Sequence, residues 1–148
     1  MQRWAKGAGV VMAALVAVAW SDARAELFSK AYAFKPDTVL EIGTEVPGGL
    51  RLDSVEFVLP KEGTDQRGLF AGPKVKVGIS NLGASALKIG VAIAVTDADG
   101  RLVGVASGGT KLFPVRADRA IVYSLSISGV RSALAQGTVF RISVEPTP

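Results

Sequence analysis

The sequence predicts an all-β protein, a β-sandwich of about seven to nine short strands. Two observations lead there. From residue 38 onward, aliphatic side chains recur at every second position, the period of a strand with one buried face. These runs are broken about every ten residues by Gly, Asp, Asn and Pro, the residues that tight turns require. Two sheets would then bury their aliphatic faces against each other, with a closed barrel as the alternative arrangement of the same strands.

In chain order, the first feature is a signal. Arg3 and Lys6 precede an uncharged stretch from Gly7 to Trp20, and Ala23-Arg24-Ala25 follows. The apolar run is shorter than the roughly 20 residues that span a bilayer, and small residues occupy the two positions a signal peptidase reads. Residues 1–25 are therefore expected to be a signal peptide, helical in its apolar part, with cleavage before Glu26. An uncleaved anchor is the alternative, but Trp20, Ser21 and Asp22 end the apolar run too early for it. The expected location is periplasmic or extracellular, reached through the secretory pathway.

Residues 26–37 read as an N-terminal arm or a first edge strand, carrying Phe28, Tyr32 and Phe34 and ending near Pro36. The sandwich domain is expected over residues 38–146. Thr38–Ile42 is β-prone, and Pro47-Gly48-Gly49 is a turn. Leu50 and Leu52 share a face; after a phase shift at Ser54, the mark of a bulge, Val55, Phe57 and Leu59 continue it. Lys61–Pro73 is a polar surface loop in which Leu69 and Phe70 are the apolar exceptions. Val75, Val77 and Ile79 alternate up to Asn81-Leu82-Gly83. Leu87, Ile89, Val91, Ile93 and Val95 form the longest alternating series, and the opposite face (Lys88, Gly90, Ala92, Ala94, Thr96) is small enough to pack closely against something. Asp97–Gly100 is a hairpin turn, and Leu102–Ala106 is the return strand. Lys111–Val115 reads as a short edge segment because it contains Pro114. Ile121, Tyr123, Leu125 and Ile127 alternate again, Val130–Gln136 suits two turns of helix, and Phe140, Ile142 and Val144 form a last strand before Pro146 and Pro148. The expected core includes Val77, Ile79, Ile89, Val91, Ile93, Val95, Tyr123, Leu125 and Ile127.

Composition narrows the chemistry. Removing residues 1–25 from 148 leaves 123, a single-domain length. That part carries 14 basic and 12 acidic residues, a net charge of +2, without the clustered Lys and Arg that nucleic-acid binding wants. No transmembrane span is expected after signal cleavage. The chain has no cysteine, so core packing alone must hold a domain whose expected compartment permits disulfides. It has no histidine either, which removes Ser-His-Asp and Cys-His catalysis and zinc or copper sites built on His or Cys. Of the carboxylate or Ser–Lys chemistry that remains, no carboxylate pair stands in an apolar setting suited to general acid and base. The expectation is a protein with no enzymatic activity and no cofactor.

From Lys74 to Ile127 the elements follow a recognisable order. A strand ends in Asn81-Leu82-Gly83, a long strand runs into the acidic turn Asp97-Ala98-Asp99-Gly100, and Phe113-Pro114 precedes a further aliphatic strand. This order resembles the immunoglobulin-like sandwich modules of bacterial envelope proteins, in particular the FxLyD-type domains. Their strand before the acidic turn reads aromatic-x-Leu-Tyr-Asp; here Ile93-Ala94-Val95-Thr96-Asp97 keeps the apolar alternation and the Asp but neither the aromatic nor the Tyr. The resemblance implies an immunoglobulin-like fold and an accessory or interaction module without a catalytic centre.

Three groups of residues are candidates for contact. Asp97-x-Asp99-Gly100 invites a calcium reading, but Gly comes fourth instead of sixth and no closing Glu follows, so turn chemistry is the simpler account. Lys74, Lys76 and Lys88 would make a basic strip on neighbouring strands, suited to anionic headgroups or acidic glycans; solvated lysines guarding strand edges explain the same pattern. Phe28, Tyr32, Phe34, Leu69 and Phe70 are aromatic or apolar residues outside the clearest strands, placed either to cap an open end or to meet a partner. The functional expectation is an exported envelope module that binds another protein, with a small-ligand or glycan binder as the alternative. The absence of Trp beyond residue 25 weighs against sugar stacking.

Overall fold

A computed structural model describes residues 27–60, 72–129 and 131–147. The expected signal peptide, and Leu69 and Phe70, lie outside the described residues. Eight strands form: β1 (Phe28–Ala33), β2 (Val39–Val46), β3 (Leu50–Val58), β4 (Lys74–Asn81), β5 (Lys88–Thr96), β6 (Leu102–Gly109), β7 (Arg119–Ser126) and β8 (Val139–Thr147). A single helical turn, α1 (Arg131–Leu134), precedes β8. The strands make two antiparallel sheets of four, ordered β1-β8-β5-β6 (sheet A) and β2-β3-β4-β7 (sheet B).

The alternating aliphatic faces meet between the sheets. All nine residues assigned to the core are buried there, beside Leu50, Leu52, Val55 and Phe57 of β3 and Phe140, Ile142 and Val144 of β8. The phase shift at Ser54 is a bulge, because the β3–β4 register slips between Leu52 and Ser54. Without it, Val55 and Phe57 would turn to solvent. The β2–β3 turn needs two consecutive left-handed residues, and Gly48 (φ 80°) and Gly49 (φ 78°) supply them.

One side of the sandwich closes further than the other. β6 presents Gly104, Ala106 and Gly108 inward, and side chains of Leu125, Ile127 and Leu134 come up against the two glycines. This lets the end of β7 cross over to sheet A, where Val105 and Ser128 exchange backbone hydrogen bonds of 2.9 and 2.8 Å. A Cβ on Gly108 would stand 2.5 Å from a Leu125 methyl. On the other side β1 and β2 are the sheet edges. Lys30 of β1 shares the inward face with Phe28 and Tyr32, opposite Ile142, and its ammonium sits over the Tyr32 ring at 5.5 Å. An inward-pointing lysine on an edge strand opposes edge-to-edge pairing with another chain.

Four expectations are revised. Of the two readings of residues 26–37, the edge strand holds over Phe28–Ala33 and the separate arm does not, because β8 offers these residues a continuous antiparallel partner. The last strand runs through Pro146, paired with Ile89, to Thr147. Among the described residues β1 pairs with β8 no further than Phe28–Val144, so no described strand lies beside Pro146 on the β1 side, an edge setting in which proline is tolerated. Lys111–Val115 forms no strand; only Val115 bridges, to Leu87. The helix after Ile127 is one turn, not two, and anchors itself by burying Leu134.

Candidate functional site

The two sheets present different faces to solvent. On sheet B, Glu56 lies opposite Lys76 and the pair closes at 3.0 Å. Asp53 accepts from Arg51 Nε and from Ser80 Oγ, both at 2.6 Å. These outward groups of β3 and β4 are committed to one another, while Glu41 and Glu45 of β2 make no ion pair with another described residue.

Sheet A is built otherwise. Residues directly opposite across an antiparallel ladder share a face, so the register reads off two outward rows. One is Ser29, Ser143, Ala92 and Ser107; the next is Ala31, Arg141, Ala94 and Val105. Small side chains leave the backbone near the surface, and a shallow groove of about 440 Å³ runs along β8, β5 and β6. Ser143 Oγ donates to Ser29 Oγ at 3.1 Å. Arg141 stands exposed between Ala31 and Ala94 and makes no ion pair with another described residue. The groove offers a flat floor, several hydroxyls and one guanidinium, which suits a carboxylate or carbonyl on an incoming surface. Among the described residues no three potential metal ligands cluster.

The residues singled out in the sequence fall elsewhere. Phe34 is buried at 7% exposure and meets Phe57 edge-on with centroids 4.7 Å apart; Phe57 in turn meets Phe140 at 4.9 Å. Tyr32 stacks on Phe140 at 5.5 Å, and its hydroxyl has no hydrogen-bond partner among the described residues. Phe28 is half-buried in line with Val144. Tyr32 and Phe34 thus plug one end of the sandwich, Phe28 packs further along β1, and the three leave little for a partner.

Nor does the basic strip assemble. The chain crosses from sheet B to sheet A between β4 and β5, so Lys74 and Lys76 lie on one sheet and Lys88 on the other. Asp97 Oδ1 accepts the backbone N–H groups of Asp99 and Arg101, each at 2.9 Å, so this carboxylate closes its own turn. The expectation that no Ser-x-x-Lys occurs is wrong, since Ser85-Ala86-Leu87-Lys88 has that spacing. Ser85 stands in the bend before β5, its carbonyl held by Asn81, and Lys88 is the first residue of β5; no hydrogen bond joins their side chains.

Asn81 holds the opposite end. It is fully buried, its Nδ2 donates to the carbonyls of Ser85 and Val115 at 2.9 Å each, and its Oδ1 accepts from Gly83 N at 3.0 Å. The Asn81-x-Gly83 motif is therefore a clamp joining the β4–β5 and β6–β7 loops. What sequence reasoning missed is the groove with Arg141, Ser143 and Ser107. The small opposite face of β5 was the one available signal.

Comparison with protein-family models and with curated proteins finds no match to this chain.

Proposed function

We propose that this protein is an exported, non-catalytic module of the cell envelope, an immunoglobulin-like sandwich that binds another protein through the outer face of sheet A. Strand pairing supports the immunoglobulin-like part. Such a domain orders its strands A-B-E-D and C-F-G, so that B pairs with E and C with F, each three strands on. Here β4 pairs with β7 and β5 with β8, also three strands on. β3-β4-β7 takes the order A-B-E, β6-β5-β8 takes C′-C-F, and β1 lies where G would. The chain order resembling FxLyD-type domains, and the signal pattern of residues 1–25, support the envelope part.

The observation that carries the binding reading is the contrast between the outer faces. Sheet B joins Glu56 to Lys76, and Arg51 and Ser80 to Asp53, on its outer face, whereas sheet A exposes a smooth floor of Ala, Ser and Val105 around Arg141, which makes no ion pair with another described residue. Burying such a floor loses little side-chain entropy, and the guanidinium gives orientation. Glycan or small-ligand binding has less support, since Phe34, Phe57 and Phe140 are turned inward and the exposed ring of Phe113 does not line the groove.

A photo-activatable cross-linker tests this in the cells that export the protein. Placed at Ala92, exposed on sheet A, it should give one discrete protein adduct; placed at Ser124, exposed on sheet B, it should give none. Adducts from both positions alike, or from neither, would sink the proposal.

A further inference from the structure

Beyond the sheet A face, the loop joining β6 to β7 carries the most exposed large apolar side chains of the described chain. Leu112 is 82% and Phe113 83% exposed, side by side and held outward by the turn that ends at Pro114. Leu82, 51% exposed, is on the neighbouring loop that Asn81 ties to Val115. Neither Leu112 nor Phe113 lines the groove described above. They form a convex tip.

The charges around this tip are mostly positive. Lys111 and Arg116 bracket Leu112–Val115, and Arg119 and Lys88 stand at the same end; all four are exposed, and none is ion-paired with another described residue. The acids nearest in chain and register are Asp118, Glu45 and Glu145, so cations remain in excess. An aliphatic–aromatic doublet with flanking Lys and Arg matches the boundary layer of an anionic bilayer, where apolar groups sit among acyl chains and cations meet phosphates.

We propose that the Leu112–Phe113 tip inserts into the interface of an anionic lipid membrane, with Lys111 and Arg116 at the headgroups. Because the folded end of the sandwich fixes the tip, the molecule would then stand on the membrane by this end and leave the sheet A face free for its partner.

The chain has no cysteine, so one introduced thiol takes a single label. Phe113→Cys and, as control, Ser124→Cys in the full chain are each given an environment-sensitive fluorophore and mixed with phosphatidylglycerol or phosphatidylcholine vesicles. The apolar stretch Gly7–Trp20 can itself tether the full chain, so the readout is the surroundings of the label and not binding. The label at 113 should shift to the blue and become shielded from an aqueous quencher on phosphatidylglycerol only, while that at 124 stays in water. Adding Lys111→Gln and Arg116→Gln should weaken the response by about tenfold or more. A label at 113 that stays water-like on bound protein overturns the proposal. So does one that responds equally to both lipids, or only when a protein partner is added.

Discussion

At the end of the sandwich that carries the Asp97–Arg101 turn, Phe34, Phe57 and Phe140 meet ring to ring inside the fold. At the opposite end Phe113 stands in solvent, and closure falls to the polar side chain of Asn81. The same residue type therefore does unrelated work at the two ends. An aromatic plug needs no loop of fixed shape, because dispersion and burial act in all directions. A hydrogen-bonding clamp fixes three backbone groups in place and frees the apolar residues of the loop it holds. One end can be remodelled only by repacking, while the other can present side chains outward without loosening the core.

Three substitutions break or sharpen that contrast. Phe57→Ala removes the ring in contact with both other rings and should cost about 3–5 kcal/mol in chemical denaturation. A loss below about 1 kcal/mol would mean the plug contributes no more than a surface residue. Asn81→Ala strips the carbonyls of Ser85 and Val115 and the N–H of Gly83 of their buried partner, with an expected loss of about 2–4 kcal/mol. Asn81→Asp should recover little of it, since a carboxylate cannot donate to those carbonyls; full recovery would show that Gly83 alone matters. Phe113→Ala should change stability by no more than about 0.5 kcal/mol, as exposed positions do. A larger loss would show that the tip packs onto the domain and would remove the contrast between the ends.

Much of the fold was legible because alternation is a local property. Spacing alone places Val77, Ile79, Ile89 and Ile93 in the core, and the broken phase at Ser54 marks its bulge. Alternation shows which residues of one strand share a face; it does not show which strands are neighbours. That is why Lys74, Lys76 and Lys88 looked contiguous although β4 and β5 belong to different sheets. The same limit hid the site, since Ser29, Ala92, Ser107 and Ser143 are scattered along the chain and meet only through the β1-β8-β5-β6 order. Phe28, Tyr32 and Phe34 misled for a related reason. An aromatic run before the first clear strand reads as spare until the partner strand, more than a hundred residues on, is known.

That pairing has a consequence for synthesis. Among the described strands the first made, β1, has as its sole ladder partner the last made, β8, which also fills the middle of sheet A between β1 and β5. A nascent chain that stops short of Val139 holds three of sheet A's four strands with β8 missing between β1 and β5, and the ladder edges that face β8 stay unpaired. Contacts of such long sequence separation form slowly. Among the described strands sheet B holds none beyond Ser126, so its ladder can pair while sheet A still waits for its central strand.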